Sequence, residues 1–275
     1  MSKLIALIEV LLVRVIIMGS VILVARTPFL DWQIETFQQV FSSHLIFIFV
    51  TVTWLLVSRR NFGDYGIIFH QLGKDFRTAM GVYLPVALSG VALGYVSYTS
   101  WDGALIMALV QLGVLFWVAL TMSNVPDPKS GLVTVFLSVV LFGLYGYLQS
   151  TLPLFSSAIL RFIFFLIFVG FGEEILYRGY ILTRLNKAFG CPNQFFGVSW
   201  GWGAVISAVL FGLSHVLNGW NILTGEFTPF WWWGLWTFIG AFVFTYIREK
   251  SGSIVPGAIV HGLPQALLAL FISSF

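Results

Sequence analysis

Nine apolar stretches dictate what this chain can fold into. They cover residues 4–25, 44–57, 76–98, 103–122, 131–147, 156–183, 197–215, 230–247 and 253–272. A membrane-spanning helix needs about 17–25 mostly apolar residues. Most of the nine meet that length, and 156–183 is long enough to cross the lipid and project into water. Composition agrees. Of 275 residues only 9% are charged and 59% are hydrophobic, with a mean hydropathy of +0.94. Soluble domains carry about 25% charged residues. The fold class is therefore all-α, a polytopic transmembrane helical bundle of about eight to nine spans. The net charge of +3 gives no footing for nucleic acid, so membrane lipid is the expected surrounding.

Loop charges order the spans. Arg59, Arg60, Lys74 and Arg77 follow the second stretch, Lys129 the fourth, Arg184 and Lys187 the sixth, and Arg248 and Lys250 the eighth. The loops around Asp102, Gln149 and Glu226 hold neither lysine nor arginine. The positive-inside rule then places the N-terminus in the cytoplasm. Residues 4–25 contain Glu9 and Arg14 and lack an A-x-A cleavage site, so they read as a retained helix rather than a signal peptide. Glu9 and Arg14 read as a structural pair or a span edge. The triplet Trp231-Trp232-Trp233 suits an interfacial belt. Gly90-x-x-x-Gly94 and Gly197-x-x-x-Gly201 suit close helix contact. The single cysteine, Cys191, excludes an internal disulfide and reads as a plain loop residue.

Against this apolar background one segment is anomalous. Gly172-Glu173-Glu174-Ile175-Leu176-Tyr177-Arg178-Gly179 follows the run Phe162 to Phe171, which reads FIFFLIFVGF. A charge at the centre of a spanning helix costs about 2.5–3.5 kcal/mol or more, and such groups usually face a cavity and carry function. Glu174 and Arg178 are four apart on one helical face, in the favourable acid-first order. Glu173 points elsewhere, and its own i+4 neighbour is the neutral Tyr177. One carboxylate has a built-in counter-ion. The other is left without one, and in a poorly solvated cavity it is the candidate general base.

Two histidines extend the pattern. His215 closes Phe211-Gly212-Leu213-Ser214-His215, with Phe211 one turn back to wall a pocket. His261 precedes Pro264, with Gln265 one turn on as an amide donor. Measured at about 1.5 Å per residue from the same inner side, Glu173, His215 and His261 all fall at membrane depth. His44 and His70 receive no role. No HExxH helix is present, and no serine or paired-aspartate arrangement replaces it.

Taken in order, these motifs resemble the CPBP family: the type II CAAX prenyl endopeptidases and the bacteriocin-processing, or Abi, proteins. Its EExxxR corresponds to Glu173, Glu174 and Arg178, its FxxxH to Phe211 and His215, and its later histidine to His261 with Gln265. The resemblance implies an intramembrane endopeptidase with an intramembrane catalytic cavity. Glu173, assisted by His215, would activate a water, and His261 and Gln265 would stabilise the oxyanion. Glu174, Arg178, Phe211 and Tyr177 would support them. Gln265 departs from the asparagine common at that place. The resemblance covers the chain from the sixth stretch onward. Residues 151–275 are then the catalytic core, and residues 1–150 supply accessory helices.

The substrate expected is a membrane-associated peptide, either lipidated or of bacteriocin type. No cofactor is expected. If the site takes a metal, Glu173, His215 and His261 are the zinc set by ligand type. Buried Glu, Arg and His also line ion paths, so a transporter is the competing class, and a non-proteolytic immunity or scaffold protein is a third.

Overall fold

In hydrocarbon a backbone N–H or C=O has no water to bond, so a spanning segment must satisfy its own polar groups as a helix. The computed structural model obeys that constraint throughout. It describes residues 2–37, 39–96, 99–221 and 223–272, and it is all-α apart from one short hairpin. The helices are α1 Lys3–Ala25, α2 Pro28–Phe37, α3 Ser42–Val57, α4 Leu72–Tyr95, α5 Trp101–Met122 and α6 Lys129–Leu148. They continue as α7 Phe155–Phe189, α8 Trp202–Val216, α9 Trp231–Ser251 and α10 Val255–Ala269. Ser97 and Tyr98, the expected end of the third span, lie outside the described residues.

Among the described residues six helices are long and apolar enough to cross a membrane, or seven if α2 and α3 form one bent span. This is close to the predicted eight to nine. The difference lies mainly at the C-terminal end. α9 finishes in Arg248-Glu249-Lys250, and α10 is only 15 residues long. The sixth predicted span is instead longer than expected. α7 runs 35 residues, roughly 50 Å at the α-helical rise, well beyond a hydrocarbon core of about 30 Å.

α1 illustrates how the sequence divides its faces. Ala6, Val10, Val13 and Ile17 recur every three or four residues and are buried. Leu4, Ile8, Leu11, Leu12 and Val15 are exposed, as a lipid-facing stripe must be.

The stretch 197–215 does not begin as a helix. Asn193–Phe195 and Val198–Trp200 pair as an antiparallel hairpin, with Phe195 opposite Val198. The two turn residues, Phe196 at φ 46° and Gly197 at φ 75°, both lie in the left-handed region. That geometry marks the two-residue turn matched to strand twist. Gly197 is therefore a turn residue and not half of a helix-packing pair. Gly90 likewise has open space beside it.

Close helix contact occurs instead where α7 crosses α10. A Cβ on Gly170 would lie 2.6 Å from the Ala258 carbonyl oxygen, and one on Gly262 would lie 2.5 Å from that of Phe165. Both obstacles are backbone, so neither can rotate away. The two glycines set the approach that brings α10 against the acidic segment of α7. Gly262→Ala is expected to lower stability by about 1–3 kcal/mol and to reduce activity with it, read as a lower thermal midpoint in detergent. An unchanged midpoint would show that the crossing is looser than these distances require.

The interior forms two apolar clusters. One gathers α4, α5, α9 and α10 around Tyr83, Val118 and Val260. The other gathers α1, α3, α7 and α8 around Val13, Tyr177 and Phe211. Val260 adjoins His261, and Tyr177 adjoins Arg178, so the acidic segment stands where the clusters meet.

Candidate active site

α7 is not a uniform α-helix at the acidic motif. Phe164–Phe171 and Glu174–Ile181 both adopt the wider π form, and Glu173 sits at the step between them. Such i→i+5 stretches are rare and often fall at functional sites. Here the step sends the two adjacent carboxylates to different surroundings.

Glu174 turns inward and is 0% exposed; Arg178 is 1% exposed. Nη1 of Arg178 donates to Oε1 of Glu174 at 2.9 Å, and Nη2 donates to the Ala241 carbonyl at 3.4 Å. The guanidinium also lies 4.3 Å from the centroid of the Phe211 ring. Phe211, expected to wall a pocket, therefore packs behind the site. Its ring meets Arg178, Tyr177 and His215. Tyr177 donates its hydroxyl to Ser214 at 2.8 Å and joins α7 to α8.

Glu173 is not left without neighbours, as helical spacing alone suggested. Its Oε1 lies 3.6 Å from Nε2 of His44, and its Oε2 lies 3.6 Å from Nε2 of His261. The other nitrogen of His261, Nδ1, lies 3.1 Å from Oε1 of Glu174. One imidazole thus bridges the two glutamates, stacked on Phe244 with centroids 4.6 Å apart. Oε2 of Glu173 is buried and makes no hydrogen bond.

His215 is held in a defined tautomer. Its Nδ1 is 2.9 Å from the carbonyl oxygen of Phe211. A carbonyl oxygen only accepts, so Nδ1 carries the proton and donates. Nε2 of the neutral ring is then the open acceptor. Trp233 packs its ring 5.6 Å from that of His215.

A cavity of about 230 Å³ opens beside these groups. Glu173 and His215 face it, together with His44 and Phe47 of α3 and Arg14 and Met18 of α1. His261 stands behind Glu173 rather than on the wall. Gln265 does not reach the cavity. Among the described residues no group of three His, Cys, Asp or Glu side chains is arranged to hold a metal ion.

Two cavity residues were not recognised in the sequence. Sequence alone gives His44 no role and reads Arg14 with Glu9 as a structural pair or a span edge. Glu9 instead pairs with Arg60 at 2.6 Å and Arg184 at 2.7 Å, and it accepts from Trp54 and Tyr180. Arg14 is left to the cavity. The available signal was depth: both residues lie in apolar stretches, where an ionisable side chain is itself anomalous. Cys191 lies away from the site, and burial together with the charge of Glu249 raises its thiol above the ordinary value.

The family model described as Type II CAAX prenyl endopeptidase Rce1-like matches residues 154–267. The match holds Glu173, Glu174, Arg178, Phe211, His215, His261 and Gln265, whereas Arg14 and His44 precede it. Comparison with curated proteins and with solved structures gives no match. Over residues 154–267 the chain is similar to the Rce1-like, type II CAAX prenyl endopeptidase family, in agreement with the resemblance carried by its glutamate and histidine motifs.

Proposed function

We propose that this protein is an intramembrane endopeptidase that uses Glu173 to activate water against a peptide bond. One observation carries the reading. The Glu173 carboxylate shares a cavity with a histidine whose Nε2 is an open acceptor. The family match supports the class of reaction.

In the proposed step a water sits between Glu173 and His215. Glu173 removes a proton as the oxygen attacks the carbonyl carbon. The carbon–nitrogen bond then breaks as that proton passes to the leaving amine, and water is consumed once. Proton transfer of this kind contributes about 10²–10⁴-fold. The oxyanion donor falls to cavity-facing His44 rather than to Gln265. His261, touching both glutamates, holds Glu173 in place. Glu174 and Arg178 anchor that arrangement. No metal enters the step. The substrate is a membrane-associated peptide, prenylated as the family description suggests, which reaches the cavity from the bilayer past α1 and α3. The loop charges support an N-terminus in the cytoplasm.

The test is direct. Purified protein in lipid nanodiscs is given a farnesylated peptide ending in a CAAX sequence, and the products are weighed. Two fragments from one internal bond, together heavier than the substrate by one water, are expected, at a rate unchanged by EDTA or phenanthroline. Loss of activity on chelation, restored by zinc, would return Glu173, His215 and His261 to the role of a zinc set. Absence of any fragment would sink the peptidase reading.

A further inference from the structure

Among the described residues that line the cavity, Arg14 is the ionisable group that the proposed reaction leaves unused. It sits near the middle of α1, at the depth where a cation is most costly. Arg14, Ile17, Met18 and Val21 recur at i, i+3, i+4 and i+7 and present one face of α1 to the cavity. No carboxylate among the described residues pairs with it. Its Nη1 is buried and makes no hydrogen bond. Its only described contact of note is a cation–π one, with Cζ 5.3 Å from the centroid of Tyr177. Glu9, the nearest acid along the helix, is already saturated by Arg60, Arg184, Trp54 and Tyr180.

A guanidinium presents a planar fork of donors that matches a carboxylate bidentately. Left unpaired at this depth it is a site awaiting an anion. Its distance from the reacting group is informative. Tyr177 is four residues, about one helical turn, beyond Glu173, so Arg14 and Glu173 lie about one turn apart along α7. An extended peptide covers about 3.3–3.6 Å per residue. A chain with its scissile bond at Glu173 would therefore bring a group about two residues onward to Arg14.

We propose that Arg14 binds the free C-terminal carboxylate of the substrate and so selects peptides cut a few residues from their end. This rests on the peptidase reading and adds to it a specificity-determining residue from outside the segment that the family model matches. Arg14 acts on where the peptide sits and takes no part in the proton transfers.

The experiment compares one fluorescent farnesylated CAAX peptide as free acid and as C-terminal carboxamide. Binding is measured to the Glu173→Gln protein with and without Arg14→Gln, and cleavage by the chain with Glu173 intact. With Arg14 present the acid is expected to bind about tenfold or more tighter than the amide. Amidation is expected to raise KM with little change in kcat. Arg14→Gln should remove the preference while leaving turnover of the amide in place, and Arg14→Lys should keep part of it. Size-exclusion profiles establish that each variant is folded. Equal affinity for acid and amide, or a preference that survives Arg14→Gln, overturns the proposal. So does competition by phosphatidylglycerol that is independent of the peptide terminus, which would assign Arg14 to a lipid phosphate. Because binding is read without cleavage, an acid preference in a protein that cuts nothing would leave the Arg14 assignment standing and remove the peptidase reading alone.

Discussion

Glu173→Gln is expected to lower peptide cleavage by about 10²–10⁴-fold while leaving a folded, monodisperse protein. The substitution keeps the shape of the side chain and removes its ability to take a proton. It also leaves Glu174, Arg178 and the helix crossing untouched. His44 and His261, each 3.6 Å from the Glu173 carboxylate, can still meet the amide oxygen. The loss should therefore appear in kcat, with peptide binding retained. Cleavage persisting within tenfold would mean that Glu173 is not the base. A transporter, by contrast, would show no proteolysis in either form and would lose flux.

Arg178→Ala is expected to have the largest effect on stability, a loss of about 3–5 kcal/mol. The pair it breaks is fully enclosed, with Glu174 0% and Arg178 1% exposed. The cost arises because the remaining carboxylate stays buried with its strongest partner gone, leaving only the imidazole of His261 within reach. Removing both charges together is far less harmful when apolar side chains of similar volume replace them. Glu174→Leu with Arg178→Met should therefore recover much of the melting temperature that Arg178→Ala loses. A double variant as unstable as the single one would show that the pair contributes more than mutual neutralisation. Activity per folded molecule in the double variant then reports whether Glu174 only supports its neighbour.

How far the site could be read from the sequence follows from the range of each signal. The pairing of Glu174 with Arg178 is a four-residue relation within one helix, and spacing alone exposes it. Phe211 and His215 likewise share one turn, yet the ring of Phe211 lies under the Arg178 guanidinium rather than on a cavity wall. Helical spacing says which residues share a face; it does not say what that face meets. Gln265 is a further case. It shares a face with His261, and it is not among the residues that line the cavity. His44 and Arg14 carry only the signal of an ionisable side chain in an apolar stretch, with no motif spacing around them. They reach the cavity only because α1 and α3 pack against α7.

The sequence by itself determined that the chain is a helical membrane protein. A backbone in lipid has few ways to satisfy its polar groups, and apolar length is a local property. It also determined that one segment carries charges too costly to be incidental, and it marked Glu173, His215 and His261 within that frame. Only the tertiary structure decided which face of Glu173 opens to a cavity and which is backed by His261. It also decided that the N-terminal helices, expected to be accessory, contribute an imidazole and an unpaired guanidinium to the wall. The physical reason is that a cavity is a relation between helices. It is set where glycines such as Gly170 and Gly262 let backbones approach, and where a buried charge such as Glu9 takes its partners from other helices and leaves Arg14 behind.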